Sequence, residues 1–260
     1  MKATFILIFL LLSFVGKAQI KDVMEQIKDT DNQKLMENIQ KQDKVFEELE
    51  SYLKEIGQQE FNAAKDSINA VRYSKLLLFY NQLNDNYHAN YKAAKSKNEY
   101  RLVDDYIAIR LKRVDSLYAL FTSRRFEEKT PSVQPSENKV LSINDGLVEK
   151  QPIYESCAGI PDEKLCTADF IRKKIGNFFE SPELREIGKQ QLKSFVQFVI
   201  NKKGEVVFAS NSKSCGYFEY DMEFIKIFST KFTKDKFIPA HQNGKNVNCR
   251  YVMPITIMVE

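Results

Sequence analysis

Four cysteines, Cys157, Cys166, Cys215 and Cys249, and two histidines, His88 and His241, are the side chains of this 260-residue chain best suited to bind metal or form covalent links. An even number of cysteines in an exported chain favours disulfides, and four allow three pairings. Zinc is the competing use, but no Cys-x-x-Cys spacing occurs and His241 is the only histidine near them, so no metal or other cofactor is expected. Catalysis has little to work with. There is no Gly-x-Ser-x-Gly elbow, no His-Glu-x-x-His and no phosphate loop. Paired carboxylates such as Glu47-Glu48 and Asp104-Asp105 could act as hydrolytic acids. Like Arg124-Arg125, however, they read as solvated helix faces offering i,i+4 pairs. A non-enzymatic protein is expected.

The compartment follows from the N-terminus. Lys2 supplies a positive start, Phe5 to Val15 is an almost unbroken apolar run, and Gly16-Lys17-Ala18 offers small residues before a cleavage point at Gln19. Residues 1–18 therefore read as a secretory signal peptide, the apolar run being well short of the ~20 residues of a membrane-spanning helix. No cysteine lies near the cleavage point to carry a lipid, and no later segment is apolar enough to span a bilayer. A periplasmic protein is expected, with inner-membrane anchoring by an uncleaved leader as the alternative. The whole chain carries 39 basic and 35 acidic residues; without Lys2 and Lys17 the net charge falls from +4 to +2, too slight a balance to point to nucleic acid.

Residues 19–130 contain no proline and one glycine, Gly57, which is the composition of helices. Val45, Leu49, Tyr52 and Ile56 recur at helical spacing, as do Val103, Ile107, Val114, Leu117 and Phe121. Breaks are expected at Asp29 to Asn32, near Gly57 and at Lys95 to Asn98, giving three long helices in an up-down-up order with a short one before them. Tyr73, Tyr80, Tyr87, Tyr91, Tyr100, Tyr106 and Tyr118 lie on or beside the apolar stripes. An aromatic face for a glycan is one use of such residues; the commoner one is to bury the ring in a bundle core and leave the hydroxyl in water. The same spacings would serve an intermolecular coiled coil, although no strict heptad is sustained.

Pro131 to Asn138 breaks the pattern with proline and small polar residues, and 131–150 reads as a linker. Beyond it the texture is that of a small α+β domain, 151–260. Thr167 to Phe179 has the spacing of an amphipathic helix, and Pro182 opens a short turn. Phe195 to Ile200 reads as a strand, Asn201-Lys202-Lys203-Gly204 as a hairpin turn and Glu205 to Ser210 as the returning strand. Phe218 to Phe232 is a second helix with Met222, Ile225 and Phe228 or Phe232 inward, and Val247 to Met258 a long closing strand. Pro254 lacks the N–H that a central strand needs, so this last strand is expected at an edge.

The order of these elements, with Phe237-Ile238-Pro239-Ala240, the polar turn Gln242-Asn243-Gly244-Lys245 and the closing Tyr251-Val252-Met253-Pro254-Ile255-Thr256-Ile257, resembles the TonB C-terminal domain. Gln151 to Cys157 is similar to the Pro-Gly-Cys lead-in of exported members, with Glu155-Ser156 in place of Pro-Gly. The likeness covers residues 148 to 260. It implies a three-stranded antiparallel sheet with a crossing helix, and bridges Cys157–Cys166 and Cys215–Cys249, the second tying the end of the middle strand of the sequence to the start of the last. It also implies that the last strand captures an extended peptide as an added strand, through Arg250, Tyr251, Val252, Met253, Pro254, Ile255, Thr256 and Ile257, with Gln242, Asn243, Gly244 and Lys245 flanking. An exposed edge can instead be merely protected by its proline and charge.

Members of the TonB type capture the TonB box, an extended segment of outer-membrane TonB-dependent transporters, so a protein or peptide of the envelope is the implied partner. An energy-transducing TonB also needs an inner-membrane anchor and a proline-rich stalk. The stalk is missing here, and the leader reads as cleaved. The resemblance thus implies a periplasmic binding or adaptor protein, with an energy transducer held by an uncleaved signal anchor as the alternative.

Overall fold

The computed structural model describes residues 18–58, 66–123, 140–142 and 148–259. The expected leader falls outside them except for Ala18, the first residue of helix α1 (18–28). Contacts divide the chain into two units that do not follow its linear order. One takes in Met1–Glu60, Leu78–Phe121 and Pro182–Ile187; the other takes in Phe61–Leu77, Thr122–Ser181 and Gly188–Glu260. Mixed α+β architecture, helical first and sheet-bearing later, is what the sequence leads one to expect.

Three long helices follow α1: α2 (Gln33–Gln58), α3 (Asp66–Ala93) and α4 (Lys97–Ser123). The breaks before α2 and α4 have local causes. Asp31 takes a positive φ of 55°, and Asn32 accepts the Leu35 N–H to cap α2. At the start of α4, Ser96 and Glu99 form a capping box, the Ser96 hydroxyl accepting the Glu99 N–H while the Glu99 carboxylate takes the Lys95 N–H. Within the first unit, cross-links fix the helix directions. The α2 amides of Asn32, Asn38 and Gln42 donate to the carbonyls of Ala93, Ala89 and Leu83, a descending series that makes α2 and α3 antiparallel. Tyr106 and Arg110 reach Asp43, and Arg113 reaches Glu50, an ascending series that makes α2 and α4 parallel. The up-down-up order is therefore present. Tyr80, Tyr87, Tyr106 and Tyr118 are buried, whereas Tyr91 is half-buried and Tyr100 exposed, so most of these rings are core.

In the second unit, α5 (Glu163–Phe178) starts at Asp162, whose carboxylate caps Leu165, and α6 (Phe218–Lys231) packs on a sheet. The sheet has the order β1-β8-β3-β4, where β1 is Leu141–Ser142, β3 Gln190–Ile200, β4 Val206–Lys213 and β8 Cys249–Val259. The long strands are antiparallel neighbours, and β3 pairs with β8 in unbroken register from Gln190↔Val259 to Ile200↔Cys249. Short strands β2 (Ile153–Tyr154) and β5 (Phe237–Ile238) pair, as do β6 (Ala240–Gln242) and β7 (Lys245–Val247). Phe198, Phe218, Phe224, Phe228 and Phe232 are buried around α6. At about 2 kcal/mol per buried large apolar side chain they contribute strongly to the stability of this unit.

Two expectations are corrected. Cys157 and Cys166 are joined, with a Cα separation of 5.7 Å, but Cys215 and Cys249 are free. The reason is topological. Strands β4 and β8 flank β3 and run the same way, so the end of β4 lies by Phe195 while the start of β8 lies by Ile200. Five residues of strand separate them by about 17 Å, against the ~4.4–6.8 Å that a bridge allows. Second, the sheet has four strands where the resemblance implies three, because Leu141–Ser142 forms β1 outside the start of β8; Lys150 also bridges His241.

Candidate functional site

The closing strand combines two alternations. Its side chains point by turns to either face of the sheet, and its backbone polar groups by turns to β3 or away from it. Tyr251 stacks on Phe198, at 5.3 Å and nearly parallel, and Phe198 stacks on Phe228 of α6. Tyr251, Met253, Ile255 and Ile257 therefore share the α6 face, where Met253 and Ile255 are buried. The other set, Arg250, Val252, Pro254 and Thr256, lies on the opposite face, where Pro254 and Thr256 are exposed. A one-residue slip would exchange the two sets and expose several large apolar side chains at about 2 kcal/mol each, so the register is locked.

The direction of the backbone groups is read from β1. The Leu141 N–H donates to the Asn248 carbonyl at 3.0 Å, so residue 248 turns its polar groups away from β3. By alternation Arg250, Val252, Pro254, Thr256 and Met258 do the same. Pro254 is thus at a position whose missing N–H costs the sheet nothing, which explains how a proline is accommodated in a strand with a complete ladder to β3. Among the described residues, no strand lies beyond Arg250 on that side. The N–H groups of Val252, Thr256 and Met258 and the carbonyls of Val252, Pro254, Thr256 and Met258 form an open edge.

The flanking turn is built as the sequence suggests. Asn243 and Gly244 both have positive φ, 50° and 72°, the primed-turn geometry that asparagine and glycine favour between β6 and β7. Asn243, Gly244 and Lys245 are exposed, while the Gln242 carbonyl oxygen of the side chain accepts the Glu149 N–H. This turn stands at the β1 end of the edge together with the Asn201–Gly204 turn, since the Asn248 side chain accepts the Lys202 N–H. Tyr251 is committed elsewhere: its hydroxyl donates to the Pro152 carbonyl at 2.8 Å, and burial pushes its acidity down by raising its pKa.

The structure brings the twelve expected binding positions to one end and edge of the sheet but divides their roles. Arg250, Val252, Pro254 and Thr256 present backbone outward; Tyr251, Met253, Ile255 and Ile257 serve β3 and α6. Sequence reasoning missed Met258, exposed and outward, and missed β1 altogether. The clue to β1 was the short apolar run of Val140, Leu141 and Ile143 after the prolines.

The other reactive groups of the sheet unit are shielded. Burial raises the pKa of both free thiols, that of Cys249 to about 12, so neither is a ready thiolate. Asp221 is fully buried, and its carboxylate accepts from Ser194 Oγ at 2.9 Å and the Cys215 N–H at 3.2 Å; burial nevertheless lifts its pKa to about 6. Ser194 is itself buried and holds Asn211 Nδ2, so the group is an internal tie between β3, β4 and α6 with no opening for a substrate. Among the described residues, no helix is long and apolar enough to cross a membrane. No family model, curated protein or solved structure matches the chain.

Proposed function

We propose that the chain is an exported, non-catalytic adaptor of the cell envelope that takes an extended segment of a partner protein as an added strand along β8, in the manner of the TonB C-terminal domain it resembles. The observation that carries this reading is the open edge. Val252, Thr256 and Met258 turn their backbone outward with no strand neighbour among the described residues, and the same edge accepts a strand at Cys249–Arg250. Main-chain bonds of this kind supply affinity, and the side chains that alternate along the edge supply selectivity. An outer-membrane TonB-dependent transporter is the partner class that the resemblance suggests. The joined Cys157–Cys166 pair suits an oxidising compartment such as the periplasm.

The outward parity provides the test. Thr256→Pro removes an N–H that the ladder to β3 does not use, as Pro254 already does without cost, whereas Met253→Pro removes one that it does. With a synthetic peptide of a transporter's TonB-binding segment and the full chain, Thr256→Pro should leave thermal unfolding nearly unchanged and weaken binding about tenfold, the loss of roughly one hydrogen bond. Equal binding by the parent and Thr256→Pro would remove the edge as the contact surface.

A further inference from the structure

We propose that the free protein keeps the start of its binding edge occupied by its own Leu141–Ser142 pair, and that a partner strand binds by displacing it; this rests on the strand-addition reading above. Strand β1 is parallel to β8, with Leu141 opposite Cys249 and Ser142 opposite Arg250. Its Leu141 N–H bonds the outward Asn248 carbonyl at 3.0 Å, and the Leu141 side chain is 7% exposed. The segment therefore uses the same two resources an incoming peptide would use: outward backbone groups and a shielded place for one apolar side chain.

Among the described residues it covers the start of the edge. Strand β8 has eleven residues, all paired to β3, and among the described residues β1 pairs with two of them. Releasing β1 leaves the β3–β8 ladder whole and exposes the backbone of Asn248 and Arg250 in line with Val252, Thr256 and Met258, which have no strand neighbour among the described residues. The tether is short. Lys150, eight residues after Ser142, is fixed by reciprocal backbone bonds to His241, at 3.2 and 2.9 Å. A segment held this close competes at an effective concentration in the millimolar range, enough to lower a free peptide's apparent affinity by about an order of magnitude. The occupant also states what fits. An extended segment is needed, apolar at the Leu141 place and running parallel to β8.

The test uses the full chain and a fluorescent peptide of its own residues 138–144, read by anisotropy. Leu141→Pro removes the N–H that holds β1, and Leu141→Asp keeps that N–H but replaces the apolar anchor. The expected result is that both variants bind the peptide about tenfold tighter than the parent, with amide-exchange protection along β3 and β8 unchanged. Equal binding by parent and variants would overturn self-occupancy while leaving the edge reading in place. Binding by none of the three, with the variants still folded, would overturn both. Loss of protection along β3 and β8 in both variants would show β1 to be an integral strand and also overturn the inference.

Discussion

The two units solve the problem of buried polar groups in opposite ways. In the helical unit, Glu99 is buried but accepts the Lys95 N–H and a hydrogen bond from Asn32 Nδ2, which outweigh the cost of burial and hold its pKa below the ordinary value. In the sheet unit, Asp221 also accepts several hydrogen bonds, yet burial outweighs them and raises its pKa to about 6. Both carboxylates lie in the first turn of a helix, where unsatisfied N–H groups favour negative charge; Asp221 is fully enclosed between α6 and the β3–β4 pair, and there the cost of burial prevails. The Glu99 anion thus adds to the stability of its unit, whereas the Asp221 anion subtracts from that of the other. The helical unit is tied by side chains that cross between helices, and the sheet unit by turns, a disulfide and stacked aromatic rings.

The sharpest way to break this contrast is at Gly204. Its φ is +82°, its carbonyl accepts the Phe237 N–H at 2.9 Å, and a Cβ there would lie 1.8 Å from the Phe237 carbonyl oxygen. Gly204→Ala should destabilise the sheet unit by about 4 kcal/mol, among the largest single-site effects expected of any residue. Amide exchange would show protection lost along β3, β4 and β8 and kept along α2 and α4. Removing the Cys157–Cys166 link by a double serine replacement comes next. The bridge spans a separation of nine residues, for which chain entropy gives about 3 kcal/mol, read as a lower denaturation midpoint.

Acidity separates the units further. Between about pH 4 and 6 the folded state keeps a proton on Asp221 that the unfolded chain has released, so this group's contribution to sheet stability falls as pH rises, by at most about 3 kcal/mol. Glu99 has the opposite sign: its contribution is complete above its ordinary pKa and is lost as pH falls through the lower folded value. Asp221→Asn should flatten the pH profile of the sheet unit in that window, and Glu99→Gln should flatten the acid limb of the helical one. Smallest of all, Ser96→Ala removes the hydroxyl that accepts the Glu99 N–H and should cost about 1 kcal/mol in thermal unfolding of the helical unit.

The legible parts of the fold were those with strong local signals. The breaks at Asp29 to Asn32 and at Lys95 to Asn98 each fall where a helix begins, because capping residues act within one turn, while the residues that follow Gln58 lie outside the described ones. The long strands, the Lys-Lys-Gly turn and α6 were visible through alternation and helical spacing. What stayed hidden depends on partners distant in sequence. The Cys215–Cys249 bridge looked reasonable while strand ends were treated as neighbours, and only the placement of β3 between β4 and β8 sets the thiols at opposite ends. Strand β1 has two residues and no period of its own; its structure comes from the outward carbonyl of Asn248, more than a hundred residues away. For the site, Pro254 was the informative residue, since a missing N–H marks which side of a strand can be open. Which of the neighbouring side chains are free could be known only once α6 had claimed the alternate set.

The most direct test of strand addition is residue-resolved amide exchange of the full chain with and without the transporter-segment peptide. Slowed exchange at Val252, Thr256 and Met258, with Tyr251, Met253 and Ile255 unchanged because β3 already holds them, is the predicted result. Binding that leaves those three outward amides exchanging at their free rates would contradict it.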